Sequence, residues 1–105
     1  MKPVNNKGKT MKTQITLANL EAVVLRINKM TGNPETSWTK NADGRHTANI
    51  GNYHLDGAYG GYALHRMQSV GGGVQDVFRI GHVSKRELYH QMFAFVAGIE
   101  SKGNQ

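Results

Sequence analysis

Chemistry in this chain would have to start from its five histidines, His46, His54, His65, His82 and His90, because the 105 residues include no cysteine and only seven Asp or Glu. Imidazole is suited to proton transfer near neutral pH and to binding borderline metal ions. The spacing supports neither use. His54-x-Asp56 places two side chains on one face of a strand, since strand side chains alternate, but two candidate ligands do not make a metal site. There is no His-Glu-x-x-His, no elbow around a serine, and no pair of glutamates in a strand-and-loop setting. The sequence therefore predicts no catalytic residue, no metal ligands and no cofactor: a protein that is not an enzyme, its histidines being ordinary polar residues of a sheet surface. The triplet Gly71-Gly72-Gly73 does not change this. A phosphate-binding loop needs a lysine and a hydroxyl after its last glycine, whereas here Val74-Gln75-Asp76 follows and Asp76 would repel phosphate. A flexible connection between strands is expected there.

Binding is a better prospect than catalysis. Lys85 and Arg86 fall in the first turn of the last expected helix, where the helix dipole disfavours cations. They are either solvated members of a capping turn or, with His82, a grip on an anion shared with the exposed N–H groups of that turn. A second group is Tyr53, Tyr59 and Tyr62 around a glycine-rich turn, with Arg45, Arg66 and Arg79 on nearby strands. Aromatic rings beside arginines on a sheet could stack bases or form a protein-binding hot spot. Core packing explains Tyr62 equally well, and Tyr59 is the ring expected to be exposed.

The elements that must position these side chains follow from periodicity. Leu17, Leu20, Val24 and Ile27, widened by Val23 and Met30, predict a helix from Leu17 to Thr31, with Thr16 as its cap and Gly32-Asn33-Pro34 as its stop. Nine of the 13 glycines then lie between Gly44 and Gly81, interleaved with short β-prone runs, which favours strands over helices in that stretch. Expected strands are Ser37–Lys40 and Arg45–Ile50 around the turn Asn41-Ala-Asp-Gly44, then Tyr53 and Leu55 after a bend at Gly51-Asn52. A turn over Asp56–Gly61 leads to Tyr62–Met67, and the glycine triplet leads to Asp76–Ile80. Ser84 and Glu87 form a capping box, with Val83 and Leu88 as a hydrophobic staple, and Leu88, Met92, Phe95 and Ile99 carry the apolar face of a final helix. Residues 101–105 read as a frayed end. The fold class is α+β, one small domain of order α-β-β-β(-β)-α, with two helices packed on one face of an antiparallel sheet. That order, with basic residues opening the last helix, is similar to the topology of double-stranded RNA-binding domains. The likeness is of topology alone, because Leu88-Tyr89 stand where that family continues with small residues.

Composition bounds the partner. Hydrophobic residues make up 38% of the chain and charged residues 19%, which excludes a disordered polyelectrolyte, and no apolar run approaches the roughly eighteen residues of a membrane span. The formal charge of +6 points toward nucleic acid until it is located. Lys2, Lys7, Lys9 and Lys12 stand in the first twelve residues without an acid, leaving nine basic and seven acidic residues for the rest. The expectation is a flexible basic tail over 1–12 and a single, nearly charge-balanced domain over 13–105. The N-terminus lacks the apolar core of a secretory signal, which favours the cytoplasm.

Tyr53-His-Leu-Asp-Gly-Ala-Tyr-Gly-Gly-Tyr-Ala-Leu-His-Arg-Met67, followed by Gly71-Gly-Gly73, Lys85-Arg-Glu-Leu-Tyr89 and Ala94-Phe-Val-Ala-Gly98, resembles a group of small uncharacterised proteins encoded by tailed phages and prophages. The similarity covers about Leu17 to Ile99 and brings no catalytic residues with it. It implies expression in an infected bacterial cell as an accessory protein that binds a target stoichiometrically. The combined expectation is a non-enzymatic binding protein that inhibits or redirects a host or phage protein. The candidate contacts are Lys85, Arg86, Tyr59, Tyr53, Arg66, Arg45 and His82. The alternative is a nucleic-acid-binding protein that contacts phosphates through Lys85, Arg86 and the basic tail. The wide apolar face of the last helix could equally bury a homodimer interface.

Overall fold

A computed structural model describes residues 14–103 of the chain, so the basic tail over 1–12 lies outside the described residues. Helix α1 spans Leu17–Thr31. Its start is closed by a reciprocal pair: the Asn19 N–H donates to Thr16 Oγ1 at 3.1 Å, and the Thr16 N–H donates to Asn19 Oδ1 at 2.9 Å. Its end is closed by Gly32, whose φ of 70° lets its N–H reach the Asn28 and Lys29 carbonyls, a left-handed cap that glycine adopts without a Cβ penalty.

Five strands follow, one more than the upper limit expected, in two antiparallel sheets. β1 (Trp38–Lys40) and β2 (His46–Ala48) form a two-stranded ribbon around the Asn41–Gly44 turn. β3 (Tyr53–Ala58), β4 (Gly61–Met67) and β5 (Val74–Asp76) form a three-stranded sheet in that order, with β4 central. The glycine-rich turn between β4 and β5 joins the two sheets. The Ala48 N–H donates to the Val70 carbonyl at 3.0 Å, and the Trp38 indole lies so close to Gly72 that a Cβ there would come within 2.8 Å of the ring. The triplet expected as a flexible connection thus carries a packing contact at its middle glycine.

Helix α2 spans Lys85–Gly103 and so includes Ser101–Gly103, which were expected to fray. Ser84 Oγ accepts the Glu87 N–H at 3.1 Å, as the capping signal predicts. Leu20, Val24 and Ile27 of α1 and Leu88, Met92 and Val96 of α2 meet Tyr53 and Leu64 in one buried cluster, with Leu55 and Tyr62 packed against it. Directly paired residues share a face of a sheet, so the pairs Tyr53–Arg66, Leu55–Leu64 and Gly57–Tyr62 mark the face covered by the helices. His54–His65 and Asp56–Ala63 therefore mark the opposite face. The architecture is α+β with both helices on one side of the three-stranded sheet, and among the described residues no helix is long and apolar enough to cross a membrane.

Three local expectations are corrected. The turn after β3 is shorter than Asp56–Gly61, because Asp56, Gly57 and Ala58 remain in the strand. The second strand is His46–Ala48 rather than Arg45–Ile50: Ala48 is buried and ends it, and Ile50 lies beyond it, exposed. The last strand is Val74–Asp76 rather than Asp76–Ile80, since the Asp76 carboxylate accepts the N–H groups of Arg79 (3.1 Å) and Gly81 (3.0 Å) and turns the chain out of the sheet.

One contact between the helices is electrostatic. Arg26 Nη2 lies 3.0 Å from Glu100 Oε2, with the two side chains 49% and 50% exposed. Water competes for both groups, so Arg26→Ala is expected to cost less than about 1 kcal/mol, measured by urea unfolding. A loss well above that would mean the pair organises the helix packing.

Candidate functional site

The site is built by the β3–β4 hairpin and the segment that returns from β5. Ala58 pairs with Gly61, leaving Tyr59 and Gly60 as a two-residue loop with φ of 54° and 75°. Positive φ at both positions matches a type I′ turn, whose twist suits the flanking strands. Glycine fills the second position at no cost. A tyrosine at the first is unusual, because the left-handed region favours Gly, Asn or Asp. The residue is 96% exposed.

The segment after β5 leaves the sheet past Val77, whose N–H donates to the Leu64 carbonyl at 2.9 Å, and rejoins it at Val83. There the Tyr62 N–H donates to the Val83 carbonyl at 2.8 Å and the Val83 N–H donates to the Tyr62 carbonyl at 2.9 Å. Gly61 permits this closure, since a Cβ at that residue would stand 2.7 Å from the Val83 carbonyl oxygen. Rejoining carries His82 over the sheet face opposite the helices. His82 Nε2 donates to Asp56 Oδ2 at 2.7 Å, and the His82 ring meets those of Tyr59 and His65 edge-on at 5.7 and 6.2 Å. One ligand atom each from Asp56, His65 and His82 lie within 4.8 Å of one another.

His54 flanks the group, its ring 5.9 Å from that of its cross-strand partner His65. Its Nδ1 is 3.2 Å from Asn52 Oδ1. The Asn52 amide orientation is set by its Nδ2, which donates to the Pro34 carbonyl at 2.8 Å. An amide oxygen only accepts, so the His54 proton sits on Nδ1. Burial, with the nearby His65 adding to it, holds His54 below the ordinary imidazole pKa. The hydrogen bond from His82 holds the Asp56 carboxyl below its ordinary value, so Asp56 is a carboxylate.

The residues singled out from sequence do not form one surface. Tyr59, His82 and Lys85 gather at the hairpin tip and the start of α2, where Lys85 lines a shallow groove with Gly57, Ala58, Gly60 and Tyr62. Arg86 is exposed in the same first turn. Tyr53 belongs to the core, with its ring edge-on to Phe95 at 5.9 Å. Arg66 lies over the Tyr53 ring at 5.1 Å and its Nε donates to the Gly51 carbonyl at 3.4 Å, so this arginine serves packing beside Tyr53. Arg45 stands apart at the β1–β2 turn, 87% exposed and 4.0 Å from Asp43.

No protein-family model, curated protein or solved structure matches this chain. The site is therefore read from its own geometry. His65 and Asp56 are the residues that sequence reasoning left out of the site. The available signal was the position of the turn: centring the hairpin on Tyr59-Gly60 pairs His54 with His65 and puts both on the face of Asp56. His82 had no such local signal.

Proposed function

We propose that this chain is a non-enzymatic accessory protein that acts by stoichiometric binding to a protein, of a bacterial host or of a phage, through the hairpin tip at Tyr59. The observation that carries the reading is the tyrosine itself. A left-handed backbone costs a residue with a Cβ about 1–2 kcal/mol, and Tyr59 bears that cost while it stands almost wholly in water. Burial does not reward this placement, whereas exposed aromatic rings on rigid turns serve as contact anchors, and strained backbone clusters at functional positions. Lys85 in the adjoining groove supplies a cation beside the ring.

Tyr59→Gly separates the two roles of the residue. It relieves the backbone strain at the expense of glycine's greater unfolded-state entropy, so stability should be unchanged or raised by up to about 1 kcal/mol. Capture of a discrete protein from bacterial lysate, resistant to nuclease, should be lost in this variant and retained by the wild type. Retention by Tyr59→Gly would overturn the reading. Recovery that collapses with nuclease would replace it by phosphate contact through Lys85 and Arg86. In that case binding should weaken steeply with salt and disappear on Lys85→Glu with Arg86→Glu.

A further inference from the structure

We infer that Asp56, His65 and His82 bind a first-row divalent metal ion of the zinc class. Two imidazoles and one carboxylate are a borderline donor set that suits Zn2+ and its neighbours and leaves Mg2+ and Ca2+, which want oxygen shells, at a disadvantage. The three ligand atoms are within 4.8 Å of one another, while tetrahedral zinc, with bonds near 2.0–2.2 Å, asks for separations of about 3.3 Å. Side-chain torsions can absorb that difference. Asp56 and His65 are anchored on adjacent strands of one ladder, and His82 is held by the backbone pairing of its neighbour Val83 with Tyr62. The ligands thus come from three segments that are already joined.

The burial of the group also fits. His82 is 17% exposed and Asp56 45%, so the ligands are partly sheltered while one side of the site remains open to water. Three protein ligands with an open fourth position is an arrangement zinc accepts readily. An imidazole can ligate through either ring nitrogen, so His65 and His82 can each turn a lone pair toward an ion beside the Asp56 carboxyl. Once bound, the ion replaces the single Asp56–His82 hydrogen bond by three coordinate bonds that clip the returning segment to the hairpin. The Tyr59 ring, edge-on to His82 at 5.7 Å, stands at the edge of this clip. The inference does not depend on Tyr59 being a protein contact.

The test is calorimetric titration of ZnCl2 into the untagged full chain after treatment with chelator, paired with thermal unfolding with and without Zn2+. One Zn2+ per chain is expected, with a rise in Tm because the ion binds the folded state. Loss of a ligand should exceed the tenfold to hundredfold effect of removing a hydrogen-bond partner of a ligand, so Asp56→Asn and His65→Ala should each weaken binding by about 100-fold or more. His46→Ala and His90→Ala should leave both the affinity and the Tm rise in place. Asp56→Asn keeps the shape of the side chain, so it decides the matter even if His65→Ala fails to fold. Absence of binding by the wild type, binding unchanged in Asp56→Asn, or binding abolished by His46→Ala or His90→Ala would each overturn the assignment.

Discussion

Asn28→Ala is expected to remove about 2–6 kcal/mol of folding stability, because it strands two buried backbone groups worth roughly 1–3 kcal/mol each. Asn28 is 1% exposed. Its Oδ1 accepts the Tyr53 N–H at 2.8 Å and its Nδ2 donates to the Tyr53 carbonyl at 3.0 Å. β3 is the edge of its sheet, and Tyr53 turns both backbone groups away from β4 toward α1. One side chain thus completes an edge that would otherwise be buried without partners. Asn28→Asp tests the directionality of the pair: it keeps an acceptor for the N–H but sets a carboxylate oxygen against the Tyr53 carbonyl, and should be no better than alanine. Urea unfolding of the three proteins measures the effect. For a domain whose net stability is about 5–15 kcal/mol, a loss at the upper end leaves little folded protein. A loss below about 1 kcal/mol for Asn28→Ala would show that water or a local shift satisfies the edge.

Gly61→Ala should cost about 1–3 kcal/mol, the range for forcing extra volume into a packed place. The added methyl would stand 2.7 Å from the Val83 carbonyl oxygen and 3.1 Å from both the carbonyl carbon and the nitrogen of Val83. These are backbone atoms held by two hydrogen bonds to Tyr62, so no flexible side chain can swing aside. The expected response is a retreat of Val83 from Tyr62, which draws His82 away from Asp56. Unfolding measurements report the energetic part. Chemical shifts of the His82 ring report the displacement, and if the metal assignment is right the affinity for Zn2+ falls with it. Gly71→Ala is the control, since a Cβ there meets nothing within 4 Å and its φ is not in the left-handed region. It should be neutral or stabilise by about 0.4–1 kcal/mol through the unfolded chain. Equal losses in the two variants would refute the steric argument.

Both predictions rest on contacts that no local pattern encodes, and the same division runs through the fold. The first helix was legible from end to end, because its apolar stripe, Thr16 and Gly32 act within one turn of the residues they organise. The start of α2 was legible for the same reason, through Ser84 and Glu87. The Asn41–Gly44 turn was legible because Gly44, with φ of 87°, sits where a residue without Cβ is wanted. The next turn was legible only as a wider stretch, Asp56–Gly61, because its first left-handed residue is Tyr59, which carries no turn signal. Val77, Phe78 and Ile80 read as strand from their composition. The Asp76 carboxylate, five residues from Gly81, competes for the backbone N–H groups and bends the chain away. Tyr53 stands among the contact candidates in the sequence because strand parity alone does not say which face the helices cover.

The sequence by itself determined the two helices, the β-rich middle, the α+β class and the position of Lys85 and Arg86 in the opening turn of α2, since caps and periodicities work through neighbours a few residues apart. Only the tertiary structure decided which histidines meet. Pairing His54 with His65 required the register of β3 on β4, and bringing His82 to Asp56, 26 residues away in the chain, required the Val83 backbone to rejoin Tyr62 beside a glycine. Those meetings depend on strand register and close backbone approach, which are set by packing across the whole sheet rather than by the residues on either side of each histidine.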